Sequence, residues 1–142
     1  MTIKPLVILL AEDNIDHAEL IIDTLKDFNV ANEIVHVNNG EEAIDYLTGC
    51  DQHKNTRPNL ILLDLKMPRK DGITTLKEIR EMPSFGQIPI VMVSTSTSDQ
   101  EIKVCYAGGA NSYVTKPLKF EEFSRKIKDL NLYWVLTSEL PH

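Results

Sequence analysis

The chain is short of several things that would have placed it at once. Its 142 residues include two cysteines, one tryptophan and six glycines, and aromatic residues make up 6%. Cys50 and Cys105 have neither metal-ligand nor redox spacing, which argues against a zinc framework and fits two lone thiols in a reducing cytoplasm. Positive charge is scarce too. Fifteen Lys and Arg against twenty-one Asp and Glu leave a net charge of −6, and no basic cluster occurs. A nucleic-acid partner is therefore not expected, because phosphate backbones reward clustered cations. The opening "MTIKPLVILLAEDN" holds too short an apolar run for a signal peptide or a membrane span. His17, His36, His53 and His142 lack ligand spacing and read as structural residues. Repeats, linkers and low-complexity stretches are missing as well.

What is present is a chain 42% hydrophobic and 25% charged, the profile of one domain over residues 1–142 with a real core. Apolar runs at Leu6–Leu10, Glu33–Val37, Leu60–Leu63, Ile88–Val93 and Asn111–Thr115 read as strands. Helical patterns lie between them. Ile15 to Phe28 sets Ile15, Ala18, Ile22, Leu25 and Phe28 on one stripe, and "NNGEEAIDYLTG" gives a second helix ended by Gly49. A third runs from Gly72 to Met82. A fourth opens with a Ser98-Asp99-Gln100-Glu101 capping box and closes at Gly108-Gly109, and a fifth spans about Lys119 to Leu136. Five alternations of strand and helix predict an α/β fold, a doubly wound five-stranded parallel sheet with helices on both faces. The polar stretch Cys50–Asn59 is the one long loop.

In such sheets chemistry gathers at the carboxyl ends of the strands. Those ends deliver Glu12 and Asp13, then Asp64, then Ser94, Thr95 and Ser96, then Lys116-Pro117. Each has a plain reading alone: Glu12 and Asp13 could favour a helix N-terminus, Asp64 could be a loop carboxylate, "STSTS" a solvated turn and Lys116 a surface lysine. Their joint occurrence at four strand ends points elsewhere. Three anions facing one lysine call for a hard divalent cation, and Mg²⁺ takes a few carboxylates, waters and a phosphate oxygen. Asp64 would then be a carboxylate nucleophile toward phosphorus, with Lys116 and the Ser94 hydroxyl beside the phosphoryl oxygens.

Through "LLAEDN", "LILLDLKMPRKDG", "IVMVSTST" and "GGANSYVTKP", nearly the whole chain resembles the receiver domain of two-component response regulators. The thirty-residue step from Asp64 to Ser94 and the twenty-two-residue step from Ser94 to Lys116 match as well. The resemblance implies a flavodoxin-like receiver fold and a cytoplasmic signalling domain, not a turnover enzyme. It implies Asp64 as phosphoacceptor and a Mg²⁺ site of Asp13, Glu12, Asp64 and the Lys66 main-chain carbonyl. It implies Lys116 as the phosphoryl contact, with a cis bond to Pro117, and Ser94 with Tyr113 as a switch pair whose ring swings inward. The donor would be a sensor histidine kinase. The polar loop and the ending "LNLYWVLTSELP" are most similar to stand-alone receivers partnered with phytochrome-type kinases. Thr95 is larger than the residue common after the switch hydroxyl, and Lys66 and Ser96 stand where the family tunes phosphate lifetime. A phosphatase of the haloacid-dehalogenase type would need an Asp where Lys66 stands. A flavodoxin-like cofactor binder would need a phosphate loop where "AEDN" stands. A degenerate docking module would not keep the whole acidic set.

The end of the chain soon after the fifth helix suggests output through protein contacts and no attached DNA-binding domain. That helix carries a further signal. Phe120, Phe123, Ile127, Leu130 and Trp134 fall in an arc about 80° wide that should face the sheet. On the far side the polar stripe of Arg125 and Asp129 turns apolar at Leu132 and Leu136, with Tyr133 between. These residues suit a self-complementary patch for a two-fold homodimer through the C-terminal helix. Sedimentation should show wild type as a dimer and a folded Leu132→Asp/Leu136→Asp variant as a monomer. A variant that keeps the wild-type mass would contradict the patch.

Overall fold

The structure is a computed structural model that describes residues 6–27 and 33–129. Strands β1 (Val7–Ala11), β2 (Glu33–Val37), β3 (Leu60–Leu63), β4 (Ile90–Ser94) and β5 (Ser112–Thr115) alternate with five helices. These are α1 (Ile15–Asp27), α2 (Gly40–Asp51), α3 (Gly72–Glu81), α4 (Asp99–Ala107) and α5 (Phe120–Asp129). All pairings are parallel, in the order β2-β1-β3-β4-β5, the doubly wound arrangement expected from the alternation. β1, β3 and β4 are buried along their whole length, which is why they read as unbroken apolar runs. β2, at the edge, is mostly half-buried and mixes polar with apolar residues.

Alternate side chains of each strand feed two cores. Ile8, Leu10, Leu62 and Val93 face α1 and α5 through Ala18, Ile21, Leu25 and Phe123. Leu9, Ile61, Leu63 and Met92 face the other layer through Leu47, Leu76, Ile79, Phe85 and Cys105. Phe123 is fully buried, as its arc predicts. The expected stripe of α1 is corrected at its start, since Ile15 is 63% exposed and Ile21 takes its place in the core. Phe28, Leu130, Trp134 and the proposed patch of Leu132, Tyr133 and Leu136 lie outside the described residues. Among the described residues no helix is long and apolar enough to cross a membrane.

Two helix ends differ from expectation. α2 does not stop at Gly49 but runs to Asp51, with Gly49 buried inside it. A Cβ at Gly49 would lie 2.2 Å from Asn55 Nδ2, while Gly49 O accepts the amides of Gln52, Lys54 and Asn55. The glycine admits the returning loop and does not end the helix. That loop is pinned by Asn55 Nδ2 donating to Tyr46 O, Tyr46 Oη donating to Thr56 O, and the Arg57 guanidinium 4.3 Å from the Phe85 ring centroid. At α4 the capping box is only half made. Ser98 Oγ accepts from Glu101 N, but the Glu101 carboxylate takes the Ser96 hydroxyl, and Ser96 Oγ in turn accepts from Ser98 N. At the other end Gly109 adopts φ +111°, the left-handed turn that a "GG" pair permits.

α3 begins immediately beneath Asp64. Asp71 caps it, its Oδ1 accepting from Thr74 N at 2.8 Å, and Gly72 N donates to Leu65 O at 2.8 Å. A Cβ on Gly72 would lie 2.1 Å from Asp64 O, so only glycine lets the helix start so close to that strand end. Gly72→Ala should destabilise the protein by about 1–3 kcal/mol through backbone overpacking. Chemical denaturation measures this, and an unchanged midpoint would contradict the close approach.

Candidate functional site

Three inter-strand hydrogen bonds fix the backbone of the site. Glu12 N donates to Val37 O, Asp64 N to Ala11 O and Lys116 N to Ser94 O, at 3.0, 3.1 and 2.8 Å. Each continues a parallel ladder one residue beyond the strand, so these side chains project from rigid backbone at one edge of the sheet. Capping of α1 falls to Asn14, whose Oδ1 accepts from His17 N at 3.0 Å. Glu12 therefore points into the cleft and not onto the helix end, with Oε2 accepting from Asn14 N at 3.2 Å. His36 Nε2 holds the Glu12 carbonyl at 2.8 Å from the β2 side.

Glu12 is 1% exposed and Asp64 7%, whereas Asp13 is exposed. One carboxylate oxygen from each of the three lies within 4.8 Å of the others. The buried Lys116 ammonium forms ion pairs with Glu12 Oε1 and, at 3.3 Å, with Asp64 Oδ2. One ammonium serves both buried carboxylates, and Glu12 Oε1 has no other donor among the described residues. The cluster is thus under-compensated. Burial first, then the Glu12 hydrogen bond and charge, push the Asp64 carboxyl up to about 6, and Lys116 only partly opposes them. Three convergent carboxylates of this kind fit a small divalent cation with hard oxygen ligands.

Behind the cleft, Ser94 is buried at the end of β4 and its Oγ accepts from Ser96 N at 3.2 Å. Tyr113 is buried on β5 and donates its hydroxyl to Ser96 O at 2.7 Å. The Lys116–Pro117 bond is cis, as expected. Lys66 and Thr95 complete the rim of a cleft of about 200 Å³ that also holds Glu12, Asp13, Asp64, Ser94 and Lys116. Tyr113 reaches this set only through Ser96. After Asp64 the chain loops through Pro68 and returns to the strand end at Gly72, with Asp71 as the cap of α3.

The structural reading of His17 is corrected. Its ring lines the cleft, and Nδ1 lies 3.1 Å from Lys116 Nζ. Helical side chains lean toward the helix N-terminus, so a residue three positions after the Asn14 cap leans back over the strand ends.

The response regulator receiver domain family matches residues 8–128. The chain belongs to that family. As a receiver domain it is a module of two-component signalling rather than an enzyme, and it has the flavodoxin-like receiver fold. It is 36% identical over 131 residues to the probable methanogenesis regulatory protein FilR2 of Methanothrix harundinacea, covering 92% of this chain and 84% of that one. It is 33% identical over 138 residues to response regulator Rcp1 of Synechocystis, covering 96% and 94%. The crystal structure of the Mn²⁺-bound form of Rcp1 superposes with a TM-score of 0.75 at 32% identity, over 97% and 100% of the two chains. The phosphorylated cyanobacterial phytochrome response regulator RcpA gives 0.77 at 36% identity, over 98% and 100%.

The raised Asp64 sets a pH dependence in the metal-free receiver. A carboxyl whose folded value lies near 6, above its ordinary 3.8, favours folding most below pH 3.8, and that contribution is lost as pH rises through 6. Asp64→Asn removes the lost term. It should stabilise the metal-free protein by about 1–3 kcal/mol at pH 8, with the gain fading toward pH 4. Thermal unfolding across that range measures it. A gain of equal size at pH 4 and pH 8 would contradict the electrostatic cause.

Proposed function

We propose that Asp64 accepts a phosphoryl group from a sensor histidine kinase in a Mg²⁺-dependent step, and that the phosphoryl group then switches a protein-interaction face. The observation that carries this reading is the convergence of Glu12, Asp13 and Asp64 with the Lys116 ammonium beside them. Asp13, Glu12, Asp64 and the Lys66 main-chain carbonyl would hold the ion. Bound there, Mg²⁺ supplies positive charge to the phosphoryl oxygens and offsets the repulsion among the carboxylates. In the transfer, the bond from phosphorus to the kinase imidazole nitrogen breaks and its electron pair stays on that nitrogen. A new bond forms from phosphorus to an Asp64 carboxylate oxygen. Lys116 exchanges Asp64 Oδ2 for a phosphoryl oxygen, and the Ser94 hydroxyl donates to another.

Ser96 gives this event a route to Tyr113. Its amide donates to Ser94 Oγ and its carbonyl receives the Tyr113 hydroxyl. A Ser94 drawn toward the phosphoryl group would pull on Ser96 and so re-weight Tyr113 and the start of α4. The Tyr113 ring is already buried here, so phosphorylation would hold an inward rotamer and needs no swing. The likeness to RcpA, a phytochrome response regulator, supports a kinase of the phytochrome type and a cytoplasmic setting. A single receiver domain over residues 1–142, with Leu132, Tyr133 and Leu136 as a dimer contact, completes the reading.

Incubation with a phosphorylated histidine kinase should give one acid-labile, hydroxylamine-sensitive phosphate per chain, dependent on Mg²⁺ and absent from Asp64→Asn. Labelling of that variant at the wild-type stoichiometry would overturn the assignment.

A further inference from the structure

The Lys116 ammonium has three protons and three acceptors. Two are the carboxylates of Glu12 and Asp64; the third is Nδ1 of His17, at 3.1 Å, from a residue 99 positions away in sequence. The side chain of Lys116 is 7% exposed, so water offers little replacement for a lost partner. An ammonium has no lone pair, so His17 must be the acceptor in this contact. That requires a neutral imidazole with its proton on Nε2. His17 sits in the first turn of α1, where its backbone amide is held by the Asn14 side chain.

We infer that His17 is a positioning residue for phosphoryl transfer: it directs one Lys116 proton sideways, so that Glu12 and His17 clamp the ammonium and the remaining proton faces Asp64. The inference rests on the phosphoacceptor reading of Asp64 and adds a residue to it. When Asp64 exchanges its contact with Lys116 for a phosphoryl group, the two flanking acceptors keep the ammonium in place to meet the phosphoryl oxygen. Without His17, a flexible lysine stem is held at one fixed point, and the charge that should face the phosphoryl oxygens is free to fold onto Glu12. Pre-aimed charge acts on rate because it needs no reorganisation during transfer.

A small acyl phosphate as donor tests this without a kinase surface touching α1. His17→Leu keeps the helix and the approximate volume but has no acceptor; His17→Gln keeps a carbonyl that can receive the Lys116 proton. With Mg²⁺ present, the Leu variant should be phosphorylated about tenfold more slowly than wild type and the Gln variant within about threefold of it, the size of effect one orienting hydrogen bond gives. Circular dichroism establishes that both are folded. In parallel, the ¹⁵N signal of His17 Nδ1 in the metal-free protein should be that of an unprotonated, hydrogen-bonded nitrogen and should move when Lys116 is changed to Met. Equal rates for Leu and wild type, equal losses in Leu and Gln, or an Nδ1 signal unmoved by Lys116→Met would overturn the inference. Wild-type protein that takes no label would overturn the phosphoacceptor reading instead, while the Nδ1 signal would still decide the contact.

Discussion

Repulsion among three carboxylates at the end of a parallel sheet is the constraint around which this receiver is organised. Glu12 and Asp64 are buried, Asp13 stands at the rim, and the Lys116 ammonium reaches only the first two. A hydrophobic core would relax such an arrangement by turning a side chain outward. Here Glu12, Asp64 and Lys116 are each tied by a backbone amide to the neighbouring strand, which fixes where their side chains start. Burial first, and then Glu12, raise the Asp64 carboxyl to about 6, so the cost falls on that residue. A cation and a phosphoryl group are the partners that would turn this tension into affinity.

The surrounding residues read as supports for that edge. Gly72 lets α3 begin against Asp64 O, Asn14 takes over the capping of α1, and His36 holds the Glu12 carbonyl. On the other side, one residue, Ser96, receives the Tyr113 hydroxyl on its carbonyl, donates its amide to Ser94 and shares its hydroxyl with Glu101 and the Ser98 amide. Ser96 thus joins the strand-end hydroxyl, the buried tyrosine and the start of α4. The three are connected directly through hydrogen bonds to this residue, with no long chain of side chains in between.

Much of this was legible in the sequence because parallel strands buried on both faces leave unbroken apolar runs, and the residue that follows each run lies at the same edge of the sheet. Leu60–Leu63 followed by Asp64, and Ile88–Val93 followed by Ser94, needed no further information. Other features were not legible. Gly49 resembles a helix stop by composition, yet its role is steric, and only the return of Asn55 onto it reveals that. Ser98 and Glu101 have capping-box spacing, but Ser96 competes for the Glu101 carboxylate, a local choice among near-equal hydrogen bonds. Ile15 lies on the expected stripe and is still exposed, its place in the core taken by Ile21. His17 escaped notice because its partner is a lysine on the last strand, and neither is a conventional ligand pair.

The account stands on the claim that burial, joined by the Glu12 carboxylate, raises the Asp64 carboxyl to about 6 and that a divalent cation lowers it. Carboxyl ¹³C titration of Asp64 with and without saturating Mg²⁺ tests this most directly. The account predicts a midpoint near 6 in the metal-free protein and a fall of more than about one pH unit when the ion is bound, since an opposite charge close to a carboxylate lowers its value by about 1–3 units. A midpoint at an ordinary carboxylate value in the metal-free protein, or one that Mg²⁺ leaves in place, would contradict it.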